Sequence, residues 1–277
     1  MQALTDVIRN KWDDQVSDDV RARIDLLDFD TNEWGYDDLG LSVDWLARVM
    51  TLASWAYHNY FRVQARGLEL VPDGPAIIVG NHSTQMAYDG MLVLAALTLE
   101  RDPPTFAAPL GARVFARNPL YSVFMPRLGQ VTGTPANARM LLRRGRSLLV
   151  FPEGEEGGGK TVFNGYKLSP FGQGFMRLAY EAGVPIAPFA FVGGEEMVPS
   201  FSRMRPLARK IGMKYLPLSP TGLFPLPTKC SIQFGPPMQV AGDPADKKAV
   251  AEDVRRVENQ IRDLTEEGLK RRTGVFL

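Results

Sequence analysis

Strand and helix signals alternate along the chain from about residue 62 onward, and this alternation restricts the possible folds more than any other feature. Short apolar runs of strand character occur at 61–66, 76–79, 103–108, 147–151, 186–192 and 229–234. Apolar residues at helical spacing lie between them, at 90–99, 134–145 and 174–182. Strands separated by helices predict an α/β fold with a mixed, mostly parallel sheet flanked by helices. In such sheets, catalytic groups lie in the loops at the strand ends.

The regions on either side of the alternating segment have a different character. Residues 1–61 are rich in charge and predict an N-terminal amphipathic helical appendage. Residues 62–243 form the predicted catalytic α/β domain. Residues 244–277 predict a C-terminal amphipathic helix, which the cap-and-proline pair Asp243-Pro244 opens. We therefore expect one catalytic body with a helical segment at each end.

Two apolar segments have two possible interpretations. The predicted helix at about 42–60 is rich in Trp and Tyr, and the loop at 199–228 holds six prolines among apolar residues. Each segment either dips into a membrane interface, where Trp and Tyr are enriched, or packs on the protein's own core. No run of about 18 apolar residues occurs, so no membrane-spanning helix is expected.

Charge and cysteine content exclude several classes of protein. The 32 basic and 31 acidic residues nearly cancel, so no overall field favours nucleic acid. The single cysteine, Cys230, excludes an intrachain disulfide and fits a reducing compartment. We expect it to be a core residue on a strand and not a nucleophile. The N-terminus lacks the basic start and apolar centre of a signal peptide, which favours a cytoplasmic location.

A histidine follows one of the buried strand signals. Only two histidines occur in the 277 residues, and His82 comes directly after the apolar run at 76–80. An imidazole acts as a base near neutral pH when an acceptor, usually a carboxylate, holds its other nitrogen. Asp89 can do this only if residues 83–87 form an irregular turn, because seven residues of continuous helix rise about 10 Å. His58 has no such context and is expected to be structural or interfacial.

Four ordered blocks resemble those of the PlsC-like glycerolipid acyltransferases, the lysophosphatidate acyltransferase superfamily. The blocks are Asn81-His82 followed by Asp89, Leu128-Gly129 ahead of Asn137-Ala138, Phe151-Pro-Glu-Gly154, and Gly183-Val-Pro-Ile-Ala-Pro188. The resemblance covers about residues 62–240. It implies an O-acyltransferase of phospholipid biosynthesis in which His82 is the general base on an acceptor hydroxyl and Asp89 orients it.

The same resemblance implies the reaction partners. The donor is acyl-CoA or acyl-carrier protein, the acceptor is a glycerolipid such as a lysophospholipid, and no cofactor or metal is required. We therefore expect a membrane surface as a partner, no nucleic acid, and a peripheral location on the inner face of a membrane.

The chain departs from the family pattern where the acceptor is held. Six residues separate His82 from Asp89 instead of the usual four, as in a divergent branch. Glu155-Glu156 stands where the family usually has Thr-Arg, and the arginine of the second block is absent from 129–134. Because the resemblance implies that those arginines hold the acceptor's phosphate, a neutral acceptor such as mono- or diacylglycerol is the alternative. The basic residues that could replace them are Arg113, Arg117, Lys160 and Lys167.

Further substrate contacts are expected at the strand ends. Glu153 could hydrogen-bond an acceptor hydroxyl, and Gly154 lets the backbone approach a ligand closely. Asn81 and Ser83 flank the base, and backbone amides near Ser83 or Gly80 are candidate donors to the oxyanion. The pair Glu195-Glu196 after the strand at 186–192 either lines the site or forms a solvated turn.

Residues 154–161 also fit the P-loop pattern of glycine, four residues, glycine, lysine and threonine. A P-loop must run into a helix whose N-terminus faces phosphate. The residues that follow contain Asn164-Gly165 and Pro170, which argue against a helix, and Glu155 would repel a triphosphate. A nucleotide-binding enzyme is therefore the remote alternative, and a glycine loop that closes over the active site explains the residues better.

Overall fold

The structure is a computed structural model, and it describes residues 16–83, 87–113, 119–158, 160–161, 165–204, 216–222 and 224–276. The predicted helical pattern before residue 16, residues 84–86 of the turn after His82, and Arg117 lie outside the described residues.

Seven of the described strands form one sheet. The nine described strands are β1 (Gln64–Arg66), β2 (Ile77–Gly80), β3 (Ala107–Gly111), β4 (Val131–Thr132), β5 (Ser147–Val150), β6 (Ile186–Val192), β7 (Ser202–Met204), β8 (Leu216–Leu218) and β9 (Ser231–Phe234). The sheet order is β1-β9-β6-β2-β5-β3-β4, and β7 pairs separately with β8. Strands β6, β2, β5, β3 and β4 are parallel, whereas β9 is antiparallel to β6 and parallel to β1. The predicted mixed, mostly parallel sheet is confirmed.

Strand β2 lies at the centre of the sheet. Its residue Ile77 is paired with Leu148 of β5 and with Ile186 of β6, and all four β2 residues are buried. A parallel strand covered on both faces is apolar throughout, which explains the uninterrupted run at 76–79. Because β2, β5 and β6 are parallel, the loops that follow them meet at one edge of the sheet.

Helices flank the sheet. The described α-helices are α1 (Asp18–Asp25), α2 (Val43–Trp55), α3 (Tyr88–Ala95), α4 (Pro119–Arg127), α5 (Pro135–Arg143), α6 (Glu155–Gly158), α7 (Gly174–Ala182), α8 (Gly194–Met197) and α9 (Lys247–Arg271). Short π-helical turns at Ala56–Tyr60 and Ala96–Glu100 continue α2 and α3, and Leu68–Leu70 is a 3-10 turn.

Capping side chains decide where two of these helices begin. The Thr134 hydroxyl accepts from Asn137 N at 3.1 Å and starts α5, as its cap-and-proline signal predicted. The similar signal at Asp243 was misleading. Asp243 only closes a turn, whereas Asp246 accepts from Lys248 N at 2.9 Å and thereby starts α9 after residue 246.

Two further expectations require correction. The segment at 199–228 was expected to be loop throughout, but it contains the antiparallel pair β7 and β8. The extended run expected at 103–108 becomes a strand only from Ala107, because pairing of β3 with β5 begins opposite Ser147.

A single hydrophobic core unites the regions that the sequence divides at 61 and 243. Its members include Val20 of α1, Leu46 of α2, Ile78 of β2 and Val257 of α9. The charged N-terminal segment therefore joins this core through an apolar stripe, as amphipathic helices do. Among the described helices, none combines the length and hydropathy needed to cross a bilayer.

Candidate active site

The loops that follow β2, β5 and β6 bring polar residues together at the carboxyl edge of the sheet. His82 follows β2, Glu153 follows β5, and Glu195 follows β6. In chain order these residues are far apart, but the sheet order β6-β2-β5 makes their loops neighbours. The site is therefore a product of sheet topology.

His82 and Asp89 form a hydrogen-bonded pair. The His82 Nδ1 and Asp89 Oδ2 atoms are 2.8 Å apart, and the Asp89 side chain is fully buried. Asp89 also accepts from Ser83 N at 2.8 Å and from Gly90 N at 2.9 Å. With Nδ1 directed at Asp89, Nε2 is the ring nitrogen that can take a proton from a substrate.

The start of helix α3 explains how Asp89 reaches back to His82. Ala87 precedes the helix with a φ of 54°, in the left-handed region, and α3 begins at Tyr88. The helix therefore starts only after Ala87, as the spacing required. Asp89 then lies in the first turn of the helix, where unpaired backbone N–H groups and the helix dipole stabilise negative charge.

The two groups shift each other's pKa in opposite directions. Burial lowers the pKa of His82, but the charge and hydrogen bond of Asp89 and the charge of Glu153 raise it more, so its pKa lies above the ordinary value. Burial raises the pKa of Asp89, but the charge and hydrogen bond of His82 and the N–H groups of Ser83 and Gly90 bring it below the ordinary value. The arrangement stabilises an imidazolium beside a carboxylate.

Glu153 holds the backbone of His82 from the opposite side. Its Oε1 atom accepts from His82 N at 3.0 Å and from Lys160 Nζ at 3.0 Å, and its Oε2 accepts from Ser169 N at 2.6 Å. Glu153 and Lys160 form a buried ion pair whose side chains are 0% and 3% exposed. Both carboxylate oxygens therefore accept hydrogen bonds from the protein itself. The sequence had suggested only a contact between Glu153 and an acceptor hydroxyl.

Lys160 does not have the role expected of it as a phosphate ligand. Its ammonium group is buried against Glu153 and hence neutralised. The same contact removes the lysine that a P-loop would direct at phosphate, and the segment before it forms the short helix α6. Instead of lying free over the site, this segment packs on it: a Cβ added to Gly157 would stand 2.9 Å from His82 Cβ.

Asn81 and the Ser83 amide also have partners other than those expected. The Asn81 side chain donates to Phe191 O at 2.9 Å and accepts from Phe191 N at 2.7 Å, so it joins β2 to β6 and does not face a substrate. The Ser83 N–H donates to Asp89, which withdraws it as an oxyanion donor. Phe151 lies against the base, with ring centroids 4.7 Å apart.

The remaining predicted residues lie at the surface. Arg113 and Lys167 are exposed, and Gly154 is exposed with a φ of 56° that favours glycine at this turn. The structure therefore brings His82, Asp89, Ser83 and Glu153 together. It does not gather the four predicted cations into a phosphate site: Lys160 is paired, and Arg117 lies outside the described residues.

A second acidic cluster adjoins the base, and the sequence did not decide its role. Glu195 accepts from Tyr166 N at 2.7 Å, and Glu196 accepts from the Tyr166 hydroxyl at 2.5 Å and from Arg272 Nη1 at 2.7 Å. Burial raises the pKa of Glu195, with the charges of Glu196 and Glu153 adding to this effect against the Tyr166 N–H and Lys160. The solvated turn considered for 195–196 is wrong for Glu195, which is buried. The only sequence signal for a role of Glu195 and Glu196 in the site was their position directly after β6.

Comparison with known proteins identifies the domain that holds the pair. Residues 62–192 match the family model described as Acyltransferase. An uncharacterized protein of Mycobacterium tuberculosis strain H37Rv is 32% identical over 223 residues, covering 77% of this chain and 61% of that protein. A probable 1-acyl-sn-glycerol-3-phosphate acyltransferase of Mycoplasma genitalium is 26% identical over 162 residues, covering 56% of this chain and 58% of that protein. The chain thus spans about three fifths of the length of these relatives.

A solved structure has the same fold. The 1-acyl-sn-glycerophosphate (LPA) acyltransferase PlsC from Thermotoga maritima superposes with a TM-score of 0.53 at 20% identity, over 83% of both chains. At this identity the likeness concerns the fold. Residues 62–192 therefore match the acyltransferase family, and the chain has the fold of the PlsC-like acyltransferases.

Proposed function

We propose that this protein moves a fatty acyl group from a thioester donor, acyl-CoA or acyl-carrier protein, to a hydroxyl group of a glycerolipid. The observation that carries the proposal is the 2.8 Å contact between His82 Nδ1 and the buried Asp89, which leaves Nε2 for the acceptor. The position of this pair in the acyltransferase domain supports the same activity.

The proposed mechanism is direct transfer without an acyl-enzyme. His82 Nε2 removes the proton of the acceptor hydroxyl as its oxygen attacks the thioester carbonyl carbon, a step worth about 10²–10⁴-fold in general-base catalysis. Asp89 stabilises the imidazolium that forms. The tetrahedral intermediate then breaks its carbon–sulfur bond, and the departing thiolate takes the proton from the imidazolium. The ester product and free thiol form without a cofactor.

Glu153 and Lys160 keep His82 in place in this mechanism. Their ion pair fixes the backbone N–H of His82, while Asp89 fixes the ring. Such preorganisation is required because the base must lie within hydrogen-bond distance of the proton that it removes. A direct contact between Glu153 and the acceptor stays a prediction.

A neutral acceptor is the second candidate, and the charge of the site favours it. The cations near His82 are already paired, Lys160 with Glu153 and Arg272 with Glu196. Neither of these two cations is therefore free to hold a phosphate monoester at this edge. Mono- or diacylglycerol is the corresponding acceptor class.

An apolar surface on α2 and the nearby loop supports membrane docking. Leu52 is 64% exposed, Trp55 is 55% exposed and Phe224 is 82% exposed. The Tyr60 hydroxyl donates to Pro225 O at 2.7 Å, which joins the end of α2 to the loop. Because aromatic side chains favour the membrane interface, we propose that this surface holds the enzyme peripherally on the cytoplasmic face of a membrane.

Vesicle sedimentation tests the docking surface. Replacement of Trp55 and Phe224 by serine should lower binding to phospholipid vesicles several-fold. The matched control is Trp34→Ser, since Trp34 is 74% exposed and lies near the opposite end of α2. Equal loss of binding in both variants would refute a specific surface.

Product analysis tests the activity. Purified protein is incubated with acyl-CoA or acyl-carrier protein and a panel of lysophospholipids and monoacylglycerol, and the lipids are analysed by mass spectrometry. We expect an acceptor that gains one acyl chain in an amount equal to the thiol released. Thiol release without an acylated lipid would mean that the protein is a thioesterase.

A further inference from the structure

Two buried polar atoms beside the base have no hydrogen-bond partner among the described residues. They are Ser83 Oγ and Glu195 Oε1. Each of the two residues is only 8% exposed. Buried polar atoms in proteins are nearly always paired, so two unpaired atoms at the edge of a site indicate a ligand that supplies the missing partners.

The sheet and one glycine bring these two residues to the same place. Ser83 follows His82 after β2, and Glu195 follows Gly194 after the adjacent strand β6. A Cβ added to Gly194 would stand 2.5 Å from Ser83 Oγ, so only glycine allows this approach. The unpaired atoms therefore belong to one region next to His82.

The other polar atoms of both residues are already held in place. Ser83 N donates to Asp89 at 2.8 Å, and Glu195 Oε2 accepts from Tyr166 N at 2.7 Å. These bonds fix the serine backbone and one oxygen of the carboxylate. The unpaired atoms are consequently presented by an ordered framework, as a binding site requires.

We propose that Ser83 Oγ and Glu195 Oε1 bind a second hydroxyl group of the acceptor, so that the preferred acceptor is an uncharged lipid with adjacent hydroxyls, such as a monoacylglycerol. The proposal rests on the acyl transfer proposed above. A substrate hydroxyl can donate to the carboxylate and accept from the serine, which satisfies both orphaned atoms at once.

The surrounding charges favour a hydroxyl over a phosphate. Burial is the largest of the effects that raise the pKa of Glu195. The charges of Glu196 and Glu153 raise it further. A phosphate dianion at this position would be repelled by the Glu195 carboxylate. A diol carries no charge and meets none of this repulsion.

Acceptors that differ by one hydroxyl provide the test. The kcat/KM of wild type is measured for 1-octanoylglycerol and for octanoyl esters of 1,2- and 1,3-propanediol, each of which lacks one of the two hydroxyls. We expect a preference of about tenfold or more for octanoylglycerol, because loss of one partner leaves buried groups unpaired. Equal kcat/KM values for the three acceptors would overturn the proposal.

Two variants assign the preference to the proposed residues. In Glu195→Gln, the Tyr166 N–H still requires an acceptor, so the amide oxygen faces Tyr166 and an NH₂ group replaces the carboxylate oxygen. This variant and Ser83→Ala should reduce the ratio between octanoylglycerol and the propanediol esters toward one. The control is Glu252→Gln on the exposed side of α9, which should retain the wild-type ratio. An unchanged ratio in both site variants would overturn the proposal.

Binding without turnover separates this proposal from the proposed activity. Calorimetry with octanoylglycerol and the propanediol esters is done on wild type, His82→Ala and Glu195→Gln. Tighter binding of the diol in the first two proteins, lost in Glu195→Gln, supports the site even if no lipid is acylated. If acylation requires His82 while diol and single-hydroxyl lipids bind equally, the activity stands and the hydroxyl site is refuted.

Discussion

The backbone N–H of His82 and the ammonium group of Lys160 donate to the same atom, Glu153 Oε1, each at 3.0 Å. The base is therefore held at two points, since Asp89 binds its ring from the other side. Residues from the loops after two adjacent strands, β2 and β5, cooperate to place one imidazole. Loss of the Glu153–Lys160 pair should lower stability, whereas loss of the Asp89 charge should lower kcat.

Breaking the buried ion pair should destabilise the fold. Lys160→Met leaves the Glu153 carboxylate buried without its cation, and we expect the free energy of unfolding to fall by about 3–5 kcal/mol in urea denaturation. The double variant Glu153→Gln with Lys160→Met should recover much of this loss, because it removes both charges.

An exposed ion pair is the control for that experiment. Arg144→Met breaks the contact with Asp38, whose side chain is 59% exposed, and should leave the free energy of unfolding nearly unchanged. If Lys160→Met costs no more than Arg144→Met, the buried pair has no special role in stability.

Removal of the charge of Asp89 should lower kcat and leave KM nearly unchanged. Asp89→Asn retains the shape of the side chain but no longer holds His82 as a base and no longer stabilises its imidazolium. We expect kcat to fall by about 10²–10⁴-fold while KM changes little, measured by steady-state thiol release. A raised KM with unchanged kcat would instead indicate a role for Asp89 in substrate binding.

The pH profile reports the same contact. Burial lowers the pKa of His82, whereas the charge and hydrogen bond of Asp89 and the charge of Glu153 raise it above the ordinary value. The base acts in its neutral form, so kcat/KM of wild type should fall as the pH decreases through this raised pKa. In Asp89→Asn the raising charge is gone, and the acid limb of the remaining activity should move to lower pH. An acid limb at the same pH in both proteins would show that another group controls it.

The glycine at 157 is expected to be required for the position of the base. In Gly157→Ala the new Cβ would stand 2.6 Å from Glu153 Cβ and 2.9 Å from His82 Cβ, so helix α6 or the base must move. We expect kcat to fall at least about tenfold, since small displacements of a catalytic group are costly. Gly74→Ala meets no atom within 4 Å and should retain wild-type kcat. Equal rates in the two variants would mean that α6 does not support the base.

Much of the sheet could be predicted because its strands are short and buried. The run at 186–192 and the helix at 174–182 were placed to the residue, since continuous apolar character and a closing glycine, Gly183, mark them. The approach of Asp89 to His82 also followed from helix geometry, because a continuous helix cannot bring the two together. Local chemistry was sufficient for these features.

The partners of the polar residues could not be predicted in the same way. Asn81 binds the backbone of Phe191, which is 110 residues away, and Lys160 binds Glu153 across a turn whose shape the glycine-rich sequence did not define. The role of Glu195 depends on β6 lying next to β2, which is a property of the sheet order. Strand order determines the contacts of Asn81 and Glu195, and local sequence patterns do not contain it.

The most direct measurement compares the only two histidines of the chain. Thiol release from acyl-CoA or acyl-carrier protein, with an acceptor that wild type acylates, is measured for wild type, His82→Ala and His58→Ala. His58 is the matched control, because its side chain is 51% exposed and pairs with Glu100. We expect His82→Ala to lose at least about 10²-fold in kcat and His58→Ala to remain within about twofold of wild type. Equal rates in wild type and His82→Ala would contradict the assignment of His82 as the general base.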